Sequence, residues 1–300
     1  MALAKLFHNP GAGDEEHDRK KLIALIESQG FECRYSSTKK KGWEKIEPDI
    51  DFLIVAGGDG TVRKVAAQYL SRTLVDKKYP LALLPLGTAN NIAKTLELGT
   101  DIEKLIASWS QGTFRKIDVG LLDGVDEQKF FLESFGYGLF PRLMKTLRKM
   151  ERKEDMLPEE KIKMALLTLH DLILTYKPKK CRMKVDGTDH SGDYLLVEVM
   201  NTRLMGPNLH LAPQADPSDG ILNIALLPES QRDAFASYLV GRLNGKTDPF
   251  PCEVVTGKSI CLEWEGADAH VDDEVIKLEK ATKVGIKIQE GVLDFLVPGH

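Results

Sequence analysis

Val55-Ala56-Gly57-Gly58-Asp59-Gly60-Thr61 joins a continuous apolar run, Phe52–Ala56, to a helical pattern carried by Val62, Val65, Ala66, Tyr69 and Leu70. A run apolar on both faces and closed by glycine suits a parallel strand buried between two layers. The loop therefore stands at the carboxyl end of a strand, where open α/β sheets bind ligands. Gly57, Gly58 and Gly60 let a backbone approach a phosphate with no Cβ in the way. The helix that follows offers unpaired N–H groups and a partial positive charge at its start. Asp59 could hold a magnesium ion or orient one through water, and Thr61 could donate to a phosphate. The spacing is not that of a GxxxxGK[ST] phosphate loop. Taken alone, the segment also fits a plain strand-to-helix turn.

Two further loops have the same setting. Leu81–Leu84 is a second buried run, followed by Pro85-Leu86-Gly87-Thr88-Ala89-Asn90-Asn91 and a helix from about Ala89. Thr88 and Asn90 suit hydrogen bonds to phosphate or ribose, and equally suit helix capping. Leu3–Phe7 precedes Asn9-Pro10-Gly11-Ala12-Gly13, after which Leu22, Ile23, Leu25 and Ile26 form an apolar helical face. Phe31–Tyr35 reads as a strand, and Ile102, Leu105, Ile106 and Trp109 as one more helix. This alternation predicts a parallel sheet covered by helices, with three loops facing one crevice.

After Gly120 the pattern changes. Leu195–Asn201, Ile221–Leu227, Ser259–Glu263, Lys283–Gln289 and Leu293–Val297 read as strands, with turns at Asp186-Gly187, Asp219-Gly220 and Glu265-Gly266. Helices are expected at Leu139–Lys153, at Ile162–Tyr176 and near Asp233–Leu243. Strands gathered without regular helices between them predict an antiparallel sheet or sandwich. The polar stretch Leu122–Glu127 marks the boundary and gives domains at 1–123 and 124–290.

The 300 residues suit two domains, and 42% hydrophobic with 29% charged residues is ordinary globular composition. With 41 basic against 45 acidic residues the net charge is −4, which argues against nucleic acid as a partner. No apolar run is long enough for a transmembrane segment, and the first residues lack a signal-peptide core. Cys33, Cys181, Cys252 and Cys261 lie far apart, and are expected to be reduced and mostly buried in a cytoplasmic protein. The histidines have no paired ligand spacing and read as structural or surface residues.

GGDGT at 57–61, LPLGTANN at 84–91 and NPGAG at 9–13 resemble, in order and spacing, the diacylglycerol kinase catalytic-domain family. This family includes bacterial lipid kinases and sphingosine kinases. Ala212-Pro213-Gln214-Ala215-Asp216-Pro217-Ser218-Asp219-Gly220-Ile221-Leu222 is similar to its P-x-A-x-x-x-D-G-x-L segment, and Val271-Asp272-Asp273-Glu274 to its D-G-E. GGDGT alone is shared with NAD kinases and resembles a phosphofructokinase loop.

The resemblance implies an N-terminal nucleotide-binding α/β domain with a parallel sheet, phosphofructokinase- and NAD-kinase-like. It implies a C-terminal, β-rich, sandwich-like domain for a lipid substrate, and a final strand within 291–300 that returns to the first domain. The implied reaction passes the γ-phosphoryl group of Mg-ATP to a lipid hydroxyl, of diacylglycerol or a similar lipid. It would occur with the protein peripheral at the inner membrane face. By resemblance, Gly57, Gly58, Gly60 and Thr61 line the ATP phosphates, with Asp59 tied to magnesium. Thr88 and Asn90 contact nucleotide from the second loop and Asn9 from the first. Asp272 looks like the general base, with Glu274 supporting it or the metal. Phosphoryl transfer needs mainly positioning and charge neutralisation, plus an acceptor for the hydroxyl proton. Asp219 looks like an aspartate that holds a structural metal, with main-chain carbonyls and water as further ligands. Relatives often dimerise, which leaves a homodimer open.

The sequence departs from the family in places. Asn91 stands where relatives usually carry aspartate, and Asp273 replaces the glycine of D-G-E. Asp14-Glu15-Glu16 suit a helix start but would oppose a phosphate if they faced one. Leu204-Met205-Gly206-Pro207-Asn208 replaces a glycine-rich run, which leaves the shape of the substrate pocket open. Asn91 and Asp273 keep a second reading in play, a weakly active or inactive ATP- or lipid-binding relative. An NAD kinase is less favoured, because no GSTAY-like segment occurs.

Phe140, Leu143, Met144, Leu147 and Met150 form an apolar stripe among Arg142, Lys145, Arg148, Lys149, Arg152 and Lys153. Such a helix can lie on an anionic bilayer or pack on its own domain. Ile162–Tyr176 is expected to be buried, as a wall for an acyl chain, and Lys39-Lys40-Lys41 to be a solvated run.

Overall fold

The short apolar runs that open the sequence are drawn into one parallel sheet. The computed structural model describes residues 1–12, 18–71, 78–125, 130–150 and 156–299. The expectations placed on Asp14-Glu15-Glu16, Arg152 and Lys153 lie outside these residues. The chain divides into two units, Met1–Ile117 with Gly291–His300, and Asp118–Glu290.

The first unit runs β1 (Leu3–His8), α1 (Arg19–Ser28), β2 (Glu32–Ser37), β3 (Phe52–Gly57), α2 (Asp59–Leu70), β4 (Leu81–Pro85), α3 (Asn91–Thr95) and α4 (Ile102–Ser108). β3 lies between β1 and β4, parallel to both, and β2 flanks β1. Every residue of β3 is buried, as a strand covered on both faces requires. Leu22 and Ile26 are the buried face of α1. Asp18 and Asp101 cap α1 and α4 by accepting the backbone N–H of Lys21 and Lys104. Removing such a cap costs about 1 kcal/mol.

β5 (Thr113–Asp123) crosses the division between the units. The second unit continues with β6 (Phe130–Phe131), β7 (Ser134–Gly138), α5 (Leu139–Met150), α6 (Pro158–Thr175), β8 (Lys179–Val185), β9 (Thr188–Asp189) and β10 (Gly192–Met200). It then runs through β11 (Leu204–Met205), β12 (Leu209–His210), β13 (Leu222–Pro228), α7 (Arg232–Leu243), β14 (Glu253–Gly257), β15 (Ser259–Trp264), β16 (Asp268–Val271) and β17 (Glu274–Lys277). Its strands pair antiparallel: β17 with β16, β16 with β7, β7 with β10, and β10 also with β13 and β8. Neighbouring residues of β10 serve two cores. Val197 and Val199 pack with Phe135, Tyr137, Ile224 and Trp264. Leu196 and Met200 pack with residues of α5, α6 and α7.

β18 (Lys283–Val297) belongs to both units. It pairs antiparallel with β15 through 283–287, and parallel with β4 at Phe295 and Leu81. The sequence suggests two strands here, Lys283–Gln289 and Leu293–Val297. The structure has one, in which Gly291 takes φ +62° without ending the strand.

Of the two readings of the α5 stripe, packing on its own domain holds for Phe140 and Leu143, which are buried, and for Leu147, which packs against the same core, although Met150 is exposed. Two other expectations are corrected. α6 is not uniformly buried. Leu167 and Leu174 are 47% and 52% exposed, because they fall on the face turned from Leu166, Leu169 and Ile173. Of the four free cysteines only Cys181 is fully buried; the others are half-buried. Among the described residues no helix is long and apolar enough to cross a membrane.

Candidate active site

In the first unit, Gly58 is the N-cap residue of α2 and has no side chain with which to cap it. Thr61 and Val62 donate their N–H groups to the Gly58 carbonyl, at 2.8 and 3.1 Å. α3 is treated differently. The Asp59 carboxylate accepts the backbone N–H of Asn91 at 2.9 Å on Oδ2 and of Ile92 at 3.0 Å on Oδ1. Asp59 thus ties the 57–61 loop to the start of α3. Asn91 is buried in that first turn.

The glycines are explained by contact between loops. A Cβ on Gly87 would stand 2.2 Å from Gly58 Cα, and one on Gly57 2.5 Å from Thr61 Oγ1. Asn90 adopts φ +52°, and its side chain shapes its own loop. Nδ2 donates to the Pro85 and Gly87 carbonyls, and Oδ1 accepts the Gly87 N–H. Both ends of the amide are engaged within the loop, rather than being reserved for a nucleotide. Asn9 Nδ2 donates to Thr61 Oγ1 at 3.3 Å, and Asn9 Oδ1 accepts the Gly11 N–H. Asn9, Gly57, Gly58, Asp59, Thr61, Gly87 and Asn90 are thus linked through contacts of the three loops. Thr88 lies half-buried on the same loop as Asn90. Lys39, expected in a solvated run, reaches the first loop: its Nζ would stand 2.3 Å from a Cβ on Gly11.

In the second unit, Asp272 occupies the turn between β16 and β17 with φ +51°. Aspartate and asparagine tolerate this left-handed region better than most residues. The turn accepts Asp273 because its positive φ falls on Asp272; Asp273 has none. The buried Asp272 carboxylate sits on three consecutive amides. Oδ1 accepts the N–H of Leu132 at 3.1 Å, Glu133 at 2.7 Å and Ser134 at 3.1 Å. Oδ2 also meets the Leu132 N–H at 3.1 Å. Asn201 braces this segment by donating to the Leu132 carbonyl at 3.1 Å. Glu274 begins β17 and is exposed.

Asp219 lies in the Asp216–Gly220 turn. Its Oδ1 accepts the Ile221 N–H, and the buried Asp118 accepts the Gly220 N–H at 2.8 Å. Burial pushes the Asp219 carboxyl above the ordinary carboxylate range, and the charges of Asp216 and Asp118 push the same way. A cation would relieve that repulsion, so this donor set fits the metal expected at Asp219. Three carboxylates do not converge, however. Among the described residues no group of three or more His, Cys, Asp or Glu side chains forms a metal site. Main-chain carbonyls and water would have to complete the shell.

Two polar residues escaped the reading from sequence, Asp118 and Glu198, both buried at 2% and 0% exposure, and His270, read there as structural or surface, is buried at 1%. The available signal was a charge inside an apolar run: Asp118 between Ile117 and Val119, and Glu198 between Val197 and Val199.

Comparison with known proteins follows the same division. The family model of the diacylglycerol kinase catalytic domain matches residues 4–122. That of the YegS C-terminal NAD kinase beta sandwich-like domain matches residues 148–296. The "Probable lipid kinase YegS-like" of Klebsiella pneumoniae is 26% identical over 235 residues, covering 74% of this chain and 73% of that one. The diacylglycerol kinase of Bacillus subtilis is 23% identical over 303 residues, covering 97% and 87%. The crystal structure of a diacylglycerol kinase from Bacillus anthracis shares the fold, with a TM-score of 0.72 at 22% identity over 99% and 96% of the two chains.

Proposed function

Because this chain belongs to the diacylglycerol kinase catalytic-domain family, whose named relatives are lipid kinases, we propose that it transfers the γ-phosphoryl group of ATP to a lipid hydroxyl. Diacylglycerol is the acceptor we favour. The observation that carries the reading is the glycine N-cap of α2 inside Gly57-Gly58-Asp59-Gly60-Thr61, which brings no side chain to the helix start. α1 and α4 carry aspartate caps and α3 is capped by Asp59, whereas Gly58 puts no side chain over the start of α2, where a phosphate would sit.

Each residue has a role in this proposal. The first amides of α2 and the Thr61 hydroxyl hold phosphate oxygens. Asn90 and Asn9 act by fixing loop shape, and Thr88 by direct contact. Asp272 accepts the proton of the lipid hydroxyl as its oxygen forms a bond to the γ-phosphorus and the bond to ADP breaks. Glu274 supports Asp272 from two positions further on. Magnesium, when bound, neutralises charge on the transferring phosphoryl group. Asp59 orients that ion through water, since both its oxygens already accept α3 amides. Asp219 holds a second, structural magnesium. The lipid is taken at a membrane surface, with the protein peripheral to it.

The test is transfer of labelled phosphate from γ-labelled ATP, with Mg²⁺, into lipids in mixed micelles. Diacylglycerol, phosphatidylglycerol, a sphingoid base and a total lipid extract form the panel. Label entering an organic-phase product supports the reading and names the acceptor. ATP binding without transfer to any of them sinks it and favours a binding protein.

The structural metal has its own readout. Mg²⁺ at about a hundred times its Kd should raise the wild-type Tm by about 5 °C. Asp219→Asn should abolish the shift while keeping the turn. An equal shift in both proteins would place the metal elsewhere.

A further inference from the structure

Glu198 and His270 lie on either side of Gly136: in the sheet Glu198 is its partner on β10, and His270 its partner on β16. The absence of a side chain at Gly136 lets the Glu198 carboxylate cross the middle strand. A Cβ there would stand 2.2 Å from Glu198 Cδ. The carboxylate oxygens lie 3.0 and 2.8 Å from His270 Nε2. The other ring nitrogen, Nδ1, lies 2.9 Å from the main-chain oxygen of Asp272. The Phe140 ring meets the imidazole edge-on at 6.2 Å.

The protons of this arrangement follow from its partners. A carbonyl only accepts, so Nδ1 carries a hydrogen. The contact between Nε2 and Glu198 then needs one proton more. The pair is an imidazolium with a carboxylate or an imidazole with a carboxylic acid, and in both forms its net charge is zero. Burial pushes the Glu198 carboxyl up. Burial alone would lower His270, but the neighbouring Glu198 raises it, so the pair keeps its shared proton. Neutrality explains how two such groups tolerate full burial.

It does not explain why they are there, since an apolar pair of similar volume is often as stable. The reason lies at the far end of the chain of contacts. Asp272 is held at its main-chain oxygen by His270, and at its main-chain N–H by the Ser134 carbonyl at 2.8 Å. Its carboxylate is held by the amides of 132–134. We propose that Glu198 and His270 are positioning residues that lock the Asp272 turn, so that its carboxylate stays seated on those amides and presents one geometry to the substrate hydroxyl. This rests on the reading of Asp272 as the base. His270 touches neither substrate nor nucleotide; it acts through the Asp272 backbone.

Two substitutions of one residue separate this role from mere packing. In His270→Asn the short amide replaces Nδ1 and can still donate to the Asp272 carbonyl, while Glu198 loses Nε2 and is left as the neutral acid, the form that burial favours. In His270→Gln the longer amide replaces Nε2, keeps Glu198 and loses the carbonyl. A double variant, Glu198→Leu with His270→Phe, removes both polar groups without stranding a charge. His270→Gln and the double variant should lose about tenfold in kcat with KM for ATP little changed, while His270→Asn stays near wild type. Amide exchange at Leu132–Ser134 should quicken in the same two proteins and not in His270→Asn.

Equal kcat and equal exchange in His270→Gln and His270→Asn would overturn the inference, as would a double variant with wild-type kcat. Asp272→Asn runs beside them. If it keeps full activity, the base assignment fails, and the exchange pattern alone then decides whether the pair holds the turn.

Discussion

Asp272→Asn should lower kcat for phosphoryl transfer by about 10²–10⁴-fold, the usual worth of a general base. The fold should survive. Asparagine adopts the positive φ of position 272 as readily as aspartate. Its carbonyl oxygen can still take the three amide hydrogens now received by Oδ1. What it loses is the capacity to accept a proton. Asp272→Ala would be a poorer test, because it adds backbone strain and orphans three buried N–H groups, which damages structure and chemistry together. The measurement is kcat and KM for ATP, with the thermal midpoint as control. A large loss of kcat at unchanged KM and Tm assigns the base; full activity removes Asp272 from the mechanism.

Gly87→Ala should be the most disruptive single methyl group in the first unit. The added carbon would stand 2.2 Å from Gly58 Cα and 2.9 Å from Gly58 N, both backbone atoms with no rotamer to escape into. The two loops must part, and Asp59 must then release or stretch its bonds to Asn91 and Ile92. Overpacking of this kind costs about 3 kcal/mol. The expected loss is several degrees in Tm and about 10²-fold in kcat/KM for ATP, since an ångström at a reacting site is worth that much. Gly99→Ala is the control: it lies in the same unit, with nothing within 4 Å of the new Cβ and no positive φ. It should leave both quantities unchanged. Equal tolerance at the two positions would show that the loops need not touch.

The parallel sheet and its loops were legible because their signals are local. An apolar run that ends in glycine and opens a helix fits within a dozen residues, and Phe52–Thr61 and Leu81–Asn91 both carry it. The antiparallel character of the second unit was legible from its turns. The details that depend on distant partners were not. That Asp59 would cap a helix more than 30 positions away is invisible until β3 and β4 are side by side. The amides beneath Asp272 lie some 140 positions earlier, and no spacing rule links them. Glu198 passed unread because its neighbours from Tyr194 to Met200 are apolar, and a lone charge there has no meaning without its neighbour across Gly136. β18 was split in two because glycine usually ends a strand, and only the pairing on either side of Gly291 reveals continuity.

That continuity bears on how the protein is made. β4 takes β3 on one side and the end of β18 on the other, so its second edge is filled by residues near 295. On a ribosome adding about 5–20 residues per second, the first unit would wait roughly 10–35 s after its own helices emerge before that edge is covered. During this interval an apolar strand edge stands open, the kind of template that recruits other chains. Synthesis order and sheet order are therefore opposed here. A nascent chain halted before Gly291 should be more prone to chaperone capture and aggregation than its buried cores alone would suggest.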